Sequence, residues 1–235
     1  MSLPQLVSPE FTTEIPSTKQ KIKFRPFLVK EEKILLMALE SGEPNDIQNA
    51  IESILTNCIL DSIDVKSLAV FDLEFLFLQL RGKSVGEEIE LLLKHVKKTD
   101  CKHVTPFKIN LDAIKVNGNI SDGKVMLDGK IGVKLRYPTF HMLQKLQGTE
   151  QNNTDSLFKT LALMIEYVYD KEQVYNEFTD TEMETWISQL NQTQFQKITS
   201  FFENMPKLKQ KIEWTCTKCS EKDSIELEGL QSFFT

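Results

Sequence analysis

The residues best spaced to do chemistry are two cysteines separated by two positions, Cys216-Thr217-Lys218-Cys219. A turn of that length aims both sulfurs at one tetrahedral ion, and a second pair of donors must complete the shell. An internal echo suggests where that pair lies. Residues 88–114 (EIELLLKHVKKTDCKHVTPFKINLDAI) parallel residues 211–230 (KIEWTCTKCSEKDSIELEGL): each alternates, turns around cysteine, and leaves by an alternating strand. The central copy offers Cys101 with His103, and His95 nearby. Zinc is therefore the candidate cofactor, with Cys216 and Cys219 as ligands and Cys101 and His103 as completing ones. The competing reading is a pair of reduced cysteines in a hairpin turn. A redox pair would need a helix N-terminus to lower a thiol pKa, whereas this pair lies between strands.

Catalytic constellations are missing from the sequence. His95, His103 and His141 stand at no recognised spacing from a serine or an acid, and there is no Gly-rich phosphate loop, His-Glu-x-x-His or Gly-x-Ser-x-Gly motif. The expectation is a protein that is not an enzyme, with no catalytic or organic-cofactor residue to name. A small hydrolase ranks last among the readings. The 28 Lys and Arg against 34 Asp and Glu leave a net charge of -6, without the basic stripe that a phosphate backbone requires. No nucleic-acid partner is expected. No apolar run approaches a membrane span, and the N-terminus MSLPQLVSPEF lacks the features of a secretory signal.

The elements that must position the cysteines follow from periodicity. With 235 residues, 40% of them hydrophobic, the chain can build a substantial core. Pro4, Pro9 and Pro16 disfavour a helix, so residues 1–20 read as an extended N-terminal arm. Lys21–Val29 alternates around Phe24 and Phe27, with Pro26 confining it to an edge or a surface. Its basic residues Lys21, Lys23 and Arg25 read as a solvated face.

Three helices are expected over 30–82. Ile47, Ile51, Ile54, Leu55, Cys58 and Ile59 follow one helical face, which makes Cys58 a small core residue. Pro44 with Asn45-Asp46 marks the start of that helix. Segment 72–80 is apolar on nearly every side and so is buried or receives a partner. Strands are expected at 88–93, 107–111, 114–117, 124–127 and 130–135, with hairpin turns at Asn117-Gly118 and Asp128-Gly129. Helical spacing returns at 140–146 and over Leu157, Leu161, Met164, Ile165 and Val168, on either side of a polar loop at 147–154. A capping box at Thr179 and Glu182 opens the next helix, and a face from Phe195 to Met205 ends at Pro206. Residues 21–235 thus form a single composite α+β domain: helical over 30–82, sheet over 86–136, helical over 139–205, and a knuckle hairpin at 211–230. The sheet is mainly antiparallel, carries two knuckle-type hairpins, and has helices packed on one side.

Segments 71–91 (FDLEFLFLQLRGKSVGEEIEL), 134–140 (KLRYPTF), 197–208 (KITSFFENMPKL) and 214–234 (WTCTKCSEKDSIELEGLQSFF) occur in an order that resembles the baseplate hub family of T-even-type contractile-tailed bacteriophages. The resemblance spans roughly residues 20–234. It implies paired-cysteine ribbons, of which the central one here has lost cysteines. It also implies a non-enzymatic protein, acting as a hub subunit or a hub assembly factor through contacts with hub or other tail proteins. Such a protein works in the host cytoplasm during assembly, and in the virion tail baseplate if it is retained. Phe233 and Phe234, at a chain end with few core obligations, and Phe24 and Phe27 are the candidate partner anchors. The alternative class is an intracellular zinc-ribbon-like adaptor unrelated to phage tails.

Overall fold

The structure is a computed structural model that describes residues 6–96, 100–146 and 154–233. In chain order the main elements are β1 (Phe11–Glu14), β2 (Lys21–Phe24), α1 (Val29–Ser41), α2 (Pro44–Cys58), α3 (Val70–Ser84), β3 (Glu88–Leu93), β4 (Thr105–Asn110) and β5 (Val116–Asn117). They continue with β6 (Lys124–Met126), β7 (Gly132–Leu135), α4 (Phe140–Leu146), α5 (Thr154–Met164), β8 (Ile165–Tyr169) and β9 (Val174–Tyr175). The chain closes with α6 (Asp180–Ser188), α7 (Gln192–Glu203), β10 (Lys207–Thr215) and β11 (Lys222–Glu228), followed by a short 3-10 turn at Leu230–Phe233. Helices and small antiparallel sheets make this an α+β protein. Among the described residues the strands form four sheets rather than one: β1-β2, β11-β10-β5, β3-β4 and β6-β7-β8-β9.

The chain divides into two compact units where the sequence suggests one composite domain. The first comprises residues 1–117 and 207–235, and the second residues 118–206. The second is an excursion from the first, and its two ends are held together within the first by sheet pairing. Strand β5 pairs antiparallel with the start of β10, Asn117 opposite Lys207 and Val116 opposite Leu208. The Asn117-Gly118 step is therefore where the chain leaves the first unit, not a hairpin between β5 and β6. Gly118 takes φ +119, and a Cβ there would lie 2.9 Å from Pro206 Cα, so the close approach of the two chain passages requires glycine.

In the first unit, the expected extended arm of residues 1–20 is paired from Phe11 onward. β1 and β2 form a hairpin with Phe11 opposite Phe24, and Ile15 in the turn is buried. The basic face nearby is partly committed, since Arg25 Nη2 lies 3.0 Å from the buried carboxylate of Glu31. Helix α1 buries Glu31, Leu35 and Ala38, and α2 buries Ile51, Ile54, Leu55 and Cys58, both at helical spacing. Proline occupies the first turn of α2, which lacks intrahelical donors' partners anyway. Burial pushes the Cys58 thiol up to about 11, as befits an inert core residue. Helix α3 is the centre of this unit, with Leu73, Leu76, Phe77, Leu78 and Leu80 all buried. Its Asp72 carboxylate accepts the Ser17 amide at 2.8 Å, which fixes the hairpin turn to the helix.

The second unit packs β6-β7-β8-β9 with its helices around Leu135, Leu161, Ile165, Met183, Ile187 and Ile198. The stripe beginning at Leu157 does not stay helical through Val168. At Ile165 it becomes β8, which pairs with β7. The segment Ile165-Glu166-Tyr167-Val168-Tyr169 is β-branched and aromatic, the composition that suits a pleated surface. The β6–β7 turn is also wider than a two-residue hairpin: the Leu127 amide donates to the Ile131 carbonyl at 2.9 Å. Asp128 Oδ1 accepts the Lys130 and Ile131 amides, and Gly129 is not among the positive-φ glycines. Side-chain capping of the turn replaces the glycine conformation that the Asp-Gly pair suggests. The capping box at α6 forms as expected, with the Thr179 amide 2.8 Å from Glu182 Oε2. The polar loop expected at 147–154 falls outside the described residues except for Thr154. No helix among the described residues is long and apolar enough to cross a membrane.

Candidate metal centre

Two hairpin turns of the first unit meet. One connects β3 to β4, which pair from Glu88↔Asn110 to Leu93↔Thr105. The other connects β10 to β11, which pair from Lys209↔Glu228 to Thr215↔Lys222. Alternation drives both hairpins: β3 buries Ile89, Leu91 and Leu93 and exposes the residues between them. Each turn therefore lies at the end of a ladder whose register is set by which face is buried.

Cys216 and Cys219 occupy the second turn. The Cys216 amide donates to the Glu221 carbonyl at 2.9 Å and the Ser220 amide to the Cys216 carbonyl at 3.0 Å. Ser220 takes φ 57, a left-handed residue that lets the chain turn back into β11 just past the second cysteine. This tight turn points amides at sulfur. The Cys219 amide, and then the Lys218 amide and the His95 ring, pull the Cys216 thiol down to about 5 against the opposing effect of desolvation. The thiolate, the form that ligates metal, is thus favoured at neutral pH.

The first turn supplies His95 and Cys101. His95 Nε2 lies 3.2 Å from Cys219 Sγ, and Cys101 Sγ lies 4.0 Å from Cys216 Sγ. The donor atoms of His95, Cys101, Cys216 and Cys219 all fall within 4.8 Å of one another. A tetrahedral zinc ion, about 2.3 Å from sulfur and 2.0 Å from nitrogen, sets donor-to-donor edges of roughly 3.5–3.8 Å. The two short separations bracket that range. Three thiols and one imidazole in this arrangement are close enough to hold a metal ion, and the donor set suits zinc.

The histidine that joins the cluster is not His103. His103 Nε2 lies 2.8 Å from Thr217 Oγ1, so it bridges the two turns beside the cysteines without facing them. His95, whose side chain is only 2% exposed, takes the place expected for His103. Hydrogen bonding to Cys216 and, more weakly, to Cys219 and Asp223 raises the His95 pKa against desolvation. Its ring also packs against Trp214 with centroids 5.0 Å apart.

Asp223 is the residue that sequence reasoning missed. Its Oδ2 lies 3.2 Å from His95 Nδ1 and accepts the Val96 amide at 2.9 Å, and its side chain is 1% exposed. One signal was present: Asp223 shares the alternating phase of Leu227 on β11, the inward phase, where a carboxylate is costly unless it has partners.

The aromatic residues singled out as partner anchors are placed elsewhere. Phe24, Phe27 and Phe233 are buried in this chain, so their area serves its own core, and Phe234 lies outside the described residues. Exposed large apolar side chains occur instead on α1, among them Val29, Leu36 and Met37.

No curated protein matches the chain, and no solved structure does. A family described as T4 bacteriophage base plate protein matches residues 8–235. That match covers both units and both cysteine-bearing turns, and by it the chain belongs to the T4 bacteriophage base plate protein family.

Proposed function

We propose that this baseplate protein acts at the central hub of the tail, as a hub subunit or as a factor that builds the hub, by binding other tail proteins and catalysing no reaction. The observation that carries this reading is the family match over residues 8–235. The order of segments that resembles the hub proteins narrows it from baseplate to hub. Assembly would take place in the host cytoplasm before the particle is complete. Nothing favours the adaptor unrelated to phage tails.

Within this reading the four-donor cluster is a structural zinc site. Four protein ligands close a tetrahedral shell, whereas a catalytic zinc keeps one position for water or substrate. When bound, the ion supplies crosslinking energy and no reaction. His95 and Cys101 come from one hairpin turn and Cys216 and Cys219 from another more than 100 positions away in sequence, so the site would clasp the two together.

The hub assignment is tested by recovering the tagged full-length protein from infected cells, alongside mass spectrometry of purified particles. Recovery with hub proteins and presence in particles supports a subunit. Recovery with hub proteins but absence from particles supports an assembly factor. Recovery without any tail protein overturns the proposal.

A further inference from the structure

We propose that Asp223 is a positioning residue for the metal centre, the group that fixes which nitrogen of His95 faces the ion. The inference rests on the zinc reading above and assigns within it a role to a residue that is not itself a ligand.

The argument begins with what a carboxylate can do. An ionised Asp223 only accepts hydrogen bonds. Its Oδ2 receives the Val96 amide at 2.9 Å and lies 3.2 Å from His95 Nδ1, so the proton of that second contact must sit on Nδ1. A neutral imidazole protonated at Nδ1 carries its free lone pair on Nε2, and Nε2 is the atom 3.2 Å from Cys219 Sγ. The carboxylate therefore selects the tautomer that points a donor at the sulfur cluster. Neither partner has water as a substitute, since the side chains of His95 and Asp223 are 2% and 1% exposed.

Asp223 is itself held in place. It stands on β11 opposite Trp214 of β10, its Oδ1 accepts the Ser224 amide at 2.8 Å, and the Trp214 ring lies against His95. The ring is thus held by a tilted indole packed against it and by a carboxylate at its edge. Both come from the hairpin that carries Cys216 and Cys219, although His95 belongs to the other turn. A carboxylate on the far nitrogen of a ligating imidazole also makes the imidazole a better donor.

A purely structural role for Asp223 would include tying down the Val96 and Ser224 amides. Asp223→Ala removes the acceptor of the Nδ1 proton together with that of the Val96 amide, and a background without the imidazole shows how much of the loss belongs to the amide alone. Zinc affinity is measured on the full-length protein by competition with a chromophoric chelator. Asp223→Ala is expected to weaken binding by about 10- to 100-fold. In a His95→Cys background, where a thiolate replaces the imidazole, the same substitution should change affinity by less than about twofold. Equal losses in both backgrounds, or parent-like affinity in Asp223→Ala, would overturn the proposal while leaving the zinc site standing. A parent protein that binds no zinc would remove both. An independent reading comes from nitrogen-15 spectra of the zinc-loaded parent: His95 should carry its proton on Nδ1 and the metal on Nε2, and the opposite assignment overturns the proposal.

Discussion

His95 Nε2 lies 3.2 Å from Cys219 Sγ although 124 positions of sequence separate the two residues. That contact joins the β3–β4 turn to the β10–β11 turn, and further ties accompany it. Cys101 meets Cys216, His103 meets Thr217, and the Thr217 amide reaches Thr105 Oγ1 at 3.4 Å. Asp223 adds two buried contacts, to His95 Nδ1 and to the Val96 amide.

Metal content should follow the cluster and not the sequence neighbourhood. The purified protein should hold one zinc per chain, measured by elemental mass spectrometry. His103→Ala should keep it, while His95→Ala and Cys216→Ser with Cys219→Ser should lose it. Binding at a structural site is folding free energy, of order 10–16 kcal/mol in small zinc peptides. Loss of the ion should therefore lower the melting temperature of the whole protein markedly. A His103→Ala protein that arrives without zinc, or a His95→Ala protein that retains it at full affinity, would contradict the geometry.

Stability should fall as pH rises through neutrality because of Glu74. Burial, helped by the neighbouring Glu228 charge and opposed by the Leu230 amide, lifts the Glu74 carboxyl to about 7. A carboxyl whose folded pKa lies above its unfolded value near 4.5 binds its proton more tightly when folded. Its contribution is complete below pH 4.5 and is lost as pH climbs to about 7. Glu74→Gln, which keeps an acceptor for the Leu230 amide, should flatten the stability profile between those limits. Above pH 7 it should be more stable than the parent by roughly 1–3 kcal/mol. Parallel urea denaturation series of the two proteins from pH 4.5 to 8 measure this, and parallel slopes would refute it.

Phe233 should behave as a core residue. Its side chain is 2% exposed, and Phe→Ala at buried sites costs about 3–5 kcal/mol. A loss of that size in the isolated protein is expected for Phe233→Ala, read by denaturant unfolding. A change below about 0.5 kcal/mol would instead place the ring on the surface, where it could serve a partner.

Thr179→Ala should loosen the first turn of α6 by about 1 kcal/mol. The hydroxyl accepts the Glu182 amide at 3.2 Å while Glu182 reaches back to the Thr179 amide, and such caps are worth roughly 0.5–2 kcal/mol. Amide hydrogen exchange in Asp180–Ser188 should quicken by about fivefold, and exchange in α2, which lies in the other unit, should not change. Equal acceleration in both helices would mean that the cap acts on the stability of the whole chain.

Local signals in the sequence were sufficient for much of the fold. The apolar spacing of Ile51, Ile54, Leu55 and Cys58 defines the buried face of α2, because a helix repeats every 3.6 residues regardless of what it packs against. Thr179 and Glu182 announce a cap because both partners lie within one turn. The Cys-x-x-Cys spacing identifies half of the candidate site for the same reason. The stripe from Leu157 fits a helical period through Ile165, and only the pairing with β7 makes a strand the better use of that segment.

The remaining half of the site depends on distance through space. His95 and His103 both flank Cys101, and nothing in their spacing ranks one above the other. The choice is made through space, where His95 Nε2 comes to Cys219 Sγ and His103 Nε2 comes to Thr217 Oγ1. Asp223 was hidden for a similar reason, as an acid in an alternating strand says only that it faces inward, not what it meets. The amino-acid sequence by itself determined the α+β class, most helices and the cysteine turn, because those depend on contacts a few residues long. The tertiary structure decided which histidine joins the cysteines, the carboxylate behind it and the division into two units, because those depend on which distant strands pair and on where their turns come to rest.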